Sequence, residues 1–192
     1  MNEKRTDYMV LVNGENRMPE NFESTVEFMT IENMDGTKFR VEKKTCEAFL
    51  RMREDLLKND GLQAELISSY RSVATQEALF QKRLAEFGAE FTYKYVAVPG
   101  HSEHHTGLAI DVSFVVDGKI VRGTENLLGI DHLFQIAHKK LPQYGFILRY
   151  PQPKEDVTKI GYEPWHFRYI DSPEIAMEIT NSGICLEEYS SN

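Results

Sequence analysis

Cysteine is almost missing from this chain of 192 residues, which holds only Cys46 and Cys185, far apart in sequence. Neither a disulfide framework nor a Cys-x-x-Cys zinc site is therefore indicated. Long apolar runs are missing too. No stretch approaches the roughly 18 residues of a membrane span, and Met1-Asn2-Glu3-Lys4-Arg5 leads into no apolar signal core. The expectation is a chain with no membrane span and no export signal, placed in the cytoplasm, or outside it if a leader has been removed. Positive charge is in deficit, with 22 Lys+Arg against 30 Asp+Glu, a net charge of -8 and a pI of about 5.3. That excludes nucleic acid as the main partner, because a phosphate-backbone binder needs a basic stripe. Ser-x-x-Lys and Gly-x-Ser-x-Gly are both absent, so an active-site-serine peptidase fits poorly. Repeats, low-complexity tracts and Gly/Ser linkers are absent as well. A single domain over 1–192 follows, with a β-rich lead over 1–40, a catalytic core over 41–170, and a terminal helix and tail over 171–192.

What is present suffices for a buried core: 41% of residues are apolar, 27% charged and 11% aromatic, a composition that offsets chain entropy. Met9 to Val12 reads as a short strand entering the Asn13-Gly14 turn. Val26 to Ile31 and Thr37 to Val41 read as a hairpin through Asp35-Gly36. Apolar spacing predicts helices over Thr45–Leu57, Thr75 to about Phe87, and Glu125–Lys140. Strands are expected at Ala64–Ser68, Leu108–Val116, Lys119–Val121, Phe146–Arg149 and Trp165–Ile170. A last helix opens at Ser172-Pro173, with a serine cap and proline in its first turn.

Three of the six histidines, His101, His104 and His105, crowd the segment before the strand at Leu108. Alternation along that strand puts Leu108, Ile110, Val112, Phe114 and Val116 on one face and Ala109, Asp111, Ser113 and Val115 on the other. Gly107 lets the preceding loop fold back, so that His104 approaches the Asp111 carboxylate. Glu163-Pro164-Trp165-His166 offers a further histidine with a carboxylate three positions earlier. Glu163 and His166 would face opposite ways on a straight strand, so a bend at Pro164 is predicted.

His104, Asp111 and His166 then form a set of two histidines and one carboxylate with a position left open, the ligand pattern of catalytic Zn2+, one ion per chain. Glu163, outside that set, is the general base, and Arg71 is the cation for the oxyanion of a tetrahedral intermediate. Trp165 is equally a core anchor or a pocket wall. Among the remaining histidines, His105 is the one best placed to support a ligand, and His101, His132 and His138 are structural or exposed.

Ser102-Glu103-His104-His105-Thr106-Gly107-Leu108-Ala109-Ile110-Asp111 resembles the Ser-x-His-x-x-Gly-x-Ala-x-Asp signature of VanY-type D-alanyl-D-alanine carboxypeptidases. Glu163-Pro164-Trp165-His166 resembles their second signature. The similarity extends to Ser69-Tyr70-Arg71-Ser72 with Gln76, to Tyr144-Gly145-Phe146-Ile147-Leu148-Arg149-Tyr150-Pro151, and to Leu11-Val12-Asn13. His105 departs from the glutamine expected after the ligand histidine. The resemblance implies an α+β fold of the LAS metallopeptidase kind, a central antiparallel sheet flanked by helices. It implies zinc on His104, Asp111 and His166, Glu163 as base, Arg71 on the scissile carbonyl, and substrate contacts from Ser102, Gln76 and Tyr150, with Ser102 near the terminal carboxylate. The implied partner is a D-Ala-terminated peptide or muropeptide. The expected activity is zinc-dependent D,D-carboxypeptidase action on peptidoglycan precursors, with D,D-dipeptidase action, as in the VanXY relatives, a further activity open to the same site. The alternatives are an L,D-carboxypeptidase acting on stem tetrapeptides, and an inactive zinc-stabilised cell-wall binding module.

Overall fold

The computed structural model describes residues 5–191. Met1–Lys4, on which the reading of the amino terminus partly rests, and Asn192 lie outside the described residues. Met9–Val12 is not a strand. A turn forms instead, with Met9 N–H bound to Asp7 Oδ1 at 2.9 Å, and the carbonyls of Tyr8 and Val10 are taken by Arg168 Nη2 at 2.9 and 2.8 Å. With those two acceptors on a side chain, the edge of the segment that carries them has no free carbonyl at Tyr8 or Val10 for a ladder, and Val10 and Val12 pack with Phe22 and Leu108.

The hairpin forms as expected from Phe28–Glu32 (β1) and Lys38–Glu42 (β2), with Met29 opposite Val41. Glu42 then caps Lys43–Asp60 (α1), its carboxylate accepting from the N–H groups of Lys44 and Thr45 at 3.1 and 2.8 Å. The buried face of α1 carries Cys46, Ala48, Phe49, Met52 and Leu56. Ala64–Ser68 (β3) has the predicted bounds. Val73–Tyr95 (α2) comprises two helical pieces divided where the sequence places the end of the first, at Gly88, whose φ 78° and ψ 177° lie outside helical geometry; the second piece, up to Tyr95, is not foreseen.

Ala109–Val116 (β4) turns through Asp117-Gly118 into Lys119–Ile120 (β5). The single helix expected over Glu125–Lys140 is two, Thr124–Gly129 (α3) and Asp131–His138 (α4). Gly129 is a poor helix former, and the N–H of Ile130 tightens onto Leu127 at 3.2 Å, which closes the first piece. Phe146–Leu148 (β6), Glu155–Thr158 (α5), His166–Tyr169 (β7), Pro173–Ser182 (α6) and Leu186–Ser190 (α7) complete the order. Ser172 caps α6 through the Ile175 N–H at 3.2 Å, as predicted.

The central sheet runs β3-β4-β7-β6, every neighbouring pair antiparallel, with β5 on β4. Helices and the β1-β2 hairpin pack around it, so the α+β architecture with a central antiparallel sheet holds. One face of β4 and β7 sends Ile110, Val112, Phe114 and Phe167 into a core shared with Phe49, Met52, Leu66, Phe134 and Phe146. Each such fully buried side chain contributes about 1.5–3 kcal/mol. The other face is polar and carries the site. Among the described residues no helix is long and apolar enough to cross a membrane.

Candidate metal centre and catalytic cavity

Asp111 on β4 lies directly opposite His166 on β7, and residues opposite one another on neighbouring strands point to the same side of the sheet. His104 comes from the tight turn Glu103–Thr106, which Gly107 ends at φ 74° and returns toward β4. His104 Nε2 lies 3.2 Å from Asp111 Oδ2, and His166 Nδ1 lies 3.0 Å from Asp111 Oδ1. Donor atoms of all three residues fall within 4.8 Å of one another. Two donors about 2.1 Å from a tetrahedral ion are roughly 3.4 Å apart, so both imidazole–carboxylate pairs are already close to the spacing that zinc requires. Asp111 Oδ1 is buried and accepts no hydrogen bond despite its nearness to His166, an orphaned lone pair that a cation would satisfy. The bend predicted at Pro164 is a turn in which His166 N–H binds the Glu163 carbonyl at 3.2 Å. It brings Glu163 Oε2 to 3.6 Å from His166 Nδ1, outside the three-residue set.

Each imidazole is steered by its far nitrogen. His104 Nδ1 contacts the Ser69 carbonyl at 2.8 Å, and His166 Nε2 contacts Glu103 Oε2 at 3.4 Å. Burial and the nearby Arg71 guanidinium push His104 down to about 4. Burial acts the same way on His166, but Asp111, Glu103 and Glu163 outweigh it and raise that ring to about 9. Burial also works against ionisation of Asp111, yet the two imidazoles hold it well below the usual carboxylate range. For Glu163 burial wins and Asp111 adds to it, so its carboxyl is pushed up, with His166 and Arg71 offsetting only part. The metal-free site thus keeps His166 as an imidazolium, beside a Glu163 carboxyl that holds its proton above the usual carboxylate range.

All nine residues singled out in the sequence line one cavity of about 450 Å³: His104, Asp111, His166, Glu163, Arg71, Ser102, Gln76, Tyr150 and Trp165. Arg71 follows β3, and its backbone is clamped on both sides, N–H to the His104 carbonyl at 3.1 Å and carbonyl to His105 Nδ1 at 2.7 Å. His105 supports Arg71 and not the metal ligands, its Nε2 accepting the Gly100 N–H at 3.0 Å. Gln76 donates to the Ala97 carbonyl at 2.7 Å, while its Oε1 and Arg71 Nε are buried without partners. Ser102 Oγ receives the His104 N–H at 3.4 Å. Trp165 belongs to the core and to the cavity wall at once. His138 Nε2 contacts the Pro164 carbonyl at 2.8 Å, a structural role as expected. The sequence reading assigns no role to Glu103, Arg149, Arg168 or Glu187. Nothing along the chain sets these four apart from other charged residues; their burial and mutual contacts emerge only in the fold.

The family model described as VanY, D-alanyl-D-alanine carboxypeptidase, matches residues 38–172. The chain is 40% identical over 141 residues to the bifunctional D-Ala-D-Ala dipeptidase and D-Ala-D-Ala carboxypeptidase VanXYC of Enterococcus gallinarum, covering 71% of this chain and 72% of that one. Two further curated relatives match over 94% of this chain, which spans 66% and 65% of their length. Among solved structures, a mutant of the vancomycin-resistance D,D-pentapeptidase VanY from a VanB-type cassette, in complex with Zn(II), superposes with a TM-score of 0.75 at 29% identity, covering 95% of this chain and 98% of that one. The LD-carboxypeptidase LdcB superposes with a TM-score of 0.76 at 33% identity, over 96% and 86%. On the polar face of its sheet and over most of its length, this chain belongs to the VanY family of D-alanyl-D-alanine carboxypeptidases.

Proposed function

We propose that the chain is a zinc-dependent D,D-carboxypeptidase that removes the terminal D-Ala from peptides ending in D-Ala-D-Ala, peptidoglycan precursors among them. The observation that carries this reading is the convergence of two imidazoles and one orphaned carboxylate oxygen beside a separate, basic carboxylate in one cavity. His104, Asp111 and His166 would hold the zinc, whose chemistry there is Lewis acidity that makes water a nucleophile near neutral pH. Glu163 takes the proton of the attacking water and returns it to the leaving amine, for which its raised basicity suits it. Arg71, fixed by its clamped backbone, holds the negative oxygen that develops on the scissile carbonyl. Gln76, Ser102 and Tyr150 orient the terminal D-Ala, and Trp165 closes the wall beside it.

The likeness to LdcB supports a second reading, cleavage of the bond between an L-centred residue and D-Ala in a tetrapeptide, by the same residues. Product analysis on D-Ala-D-Ala, a stem tetrapeptide and a stem pentapeptide separates the two. Release of D-Ala from the pentapeptide, abolished by chelation and restored by zinc, is the expected result; release from the tetrapeptide alone would replace it with the second reading. An inactive binding module has no use for an unligated Glu163, and hydrolysis of none of the three would favour it.

A further inference from the structure

Behind the metal centre lies a closed ionic relay that joins it to the carboxyl-terminal helix. Glu103, Arg149 and Arg168 have side chains with no solvent exposure. Arg149 Nε and Arg168 Nη1 both donate to Glu103 Oε1, each at 2.7 Å. Arg149 spends its remaining donors on Glu187 of α7, Nη1 to Oε2 at 2.8 Å and Nη2 to Oε1 at 2.7 Å. Arg168 spends its own on the carbonyls of Tyr169, Tyr8 and Val10. The two Glu103 oxygens are thus divided: Oε1 is saturated by two guanidiniums, and Oε2 meets His166 Nε2 alone.

We infer that Glu103 is a positioning residue for the metal centre: it holds His166 with the proton on Nε2, so that Nδ1 presents its lone pair beside Asp111. The inference rests on the proposed zinc reading of the site. A neutral carbonyl performs this task for His104. For His166 the partner is an anion, which also raises the basicity of the ring as a ligand. Two arginines keep that anion charged in the interior, where an unpaired carboxylate would be expelled or protonated. Glu187 sits one step further out: it completes Arg149 and has no contact with His166 among the described residues, so its part is to hold the relay together.

The test is the zinc dissociation constant of the whole chain, read by competition with a chromophoric chelator. Glu103→Gln keeps the volume and removes the charge, and should weaken zinc by about 10–100-fold. Glu187→Gln breaks an equally strong pair of the same relay and should leave zinc affinity unchanged within error. If Glu103→Gln binds zinc as tightly as the parent, or if Glu187→Gln weakens it as much, the inference is overturned, the second result marking a purely structural effect. Should Glu103→Gln fail to fold, the tautomer of His166 in the zinc-loaded parent decides: nitrogen-15 spectra of labelled histidine are expected to show Nε2 protonated, and a proton on Nδ1 would overturn the inference. A parent chain that takes up no zinc overturns the reading of the site and this inference with it, whereas zinc bound alike by parent and Glu103→Gln overturns this inference alone.

Discussion

Glu163 lies 3.6 Å from a ligand nitrogen without joining the ligand set, a geometry that separates holding a metal from moving a proton. Replacing it with glutamine should leave zinc binding stoichiometric while turnover falls by about 10²- to 10⁴-fold, the usual worth of a positioned acid or base. Metal analysis of the purified variant beside its D-Ala release rate checks this; lost zinc would mean that Glu163 is itself a ligand. A second consequence concerns the proton on His166. With that ring raised to about 9 and His104 lowered to about 4, the metal-free site at pH 7.5 holds one imidazolium, His166, beside a neutral His104. Zinc must displace a proton from that imidazolium, so affinity should strengthen as pH rises toward 9. Calorimetric titration of zinc in buffers of different ionisation enthalpy should report proton release on binding, decreasing as pH rises toward 9.

Between residue and fold stands the short turn Glu103–Thr106, which delivers His104 to Asp111 and Glu103 to Nε2 of His166. Gly107 closes it in the left-handed region, and a Cβ there would meet Phe28 Cε1 at 2.8 Å. Gly107→Ala should therefore cost about 1–3 kcal/mol of stability, measurable by urea unfolding, and should weaken zinc because the displaced turn carries His104. The β4-β7 pair is the complementary device. Its register makes Asp111 and His166 opposite neighbours, and a slip of one residue would send both into the apolar core. Ile110, Val112 and Phe167 prevent that slip, so the apolar face of the sheet indirectly fixes the polar one.

Over the molecule as one cooperative unit, the two ligand imidazoles pull the pH dependence of the metal-free chain in opposite directions. His166, raised in the folded state, contributes stability that is fully present below the unfolded value near 6.5 and lost as pH climbs to about 9. His104, lowered by burial, contributes stability present above that value and lost as pH falls to about 4. Arg149 holds Glu187 down despite its burial, and the two arginines do the same for Glu103, so both add losses below the ordinary carboxylate range. Melting temperature measured with chelator present should therefore fall as pH climbs from 6.5 toward 9, where His166 and the raised Glu163 carboxyl both lose their contributions, and should fall again below the ordinary carboxylate range; a rise between pH 6.5 and 9 would contradict the proton assignment. Zinc at about 1,000 times its Kd adds about 4 kcal/mol to the native state. For a chain of this length that is a rise in melting temperature of roughly 8–16 °C.

Much was legible before any coordinates. Period-two alternation marked β4 and put Asp111 off its apolar face; helical spacing marked α1; two short motifs and the wider resemblance pointed to residues that the fold brings into one cavity. Local signals misled where distant partners took over. Met9–Val12 has the composition of a strand, but Arg168 takes the carbonyls of Tyr8 and Val10, whereas the break expected at Gly88 is there and a second helical piece follows it. The Glu103-Arg149-Arg168-Glu187 relay was invisible, since each member is an ordinary charged residue along the chain. Only folding makes them neighbours, and only burial, by removing the water that would otherwise solvate them separately, makes their mutual contacts decisive.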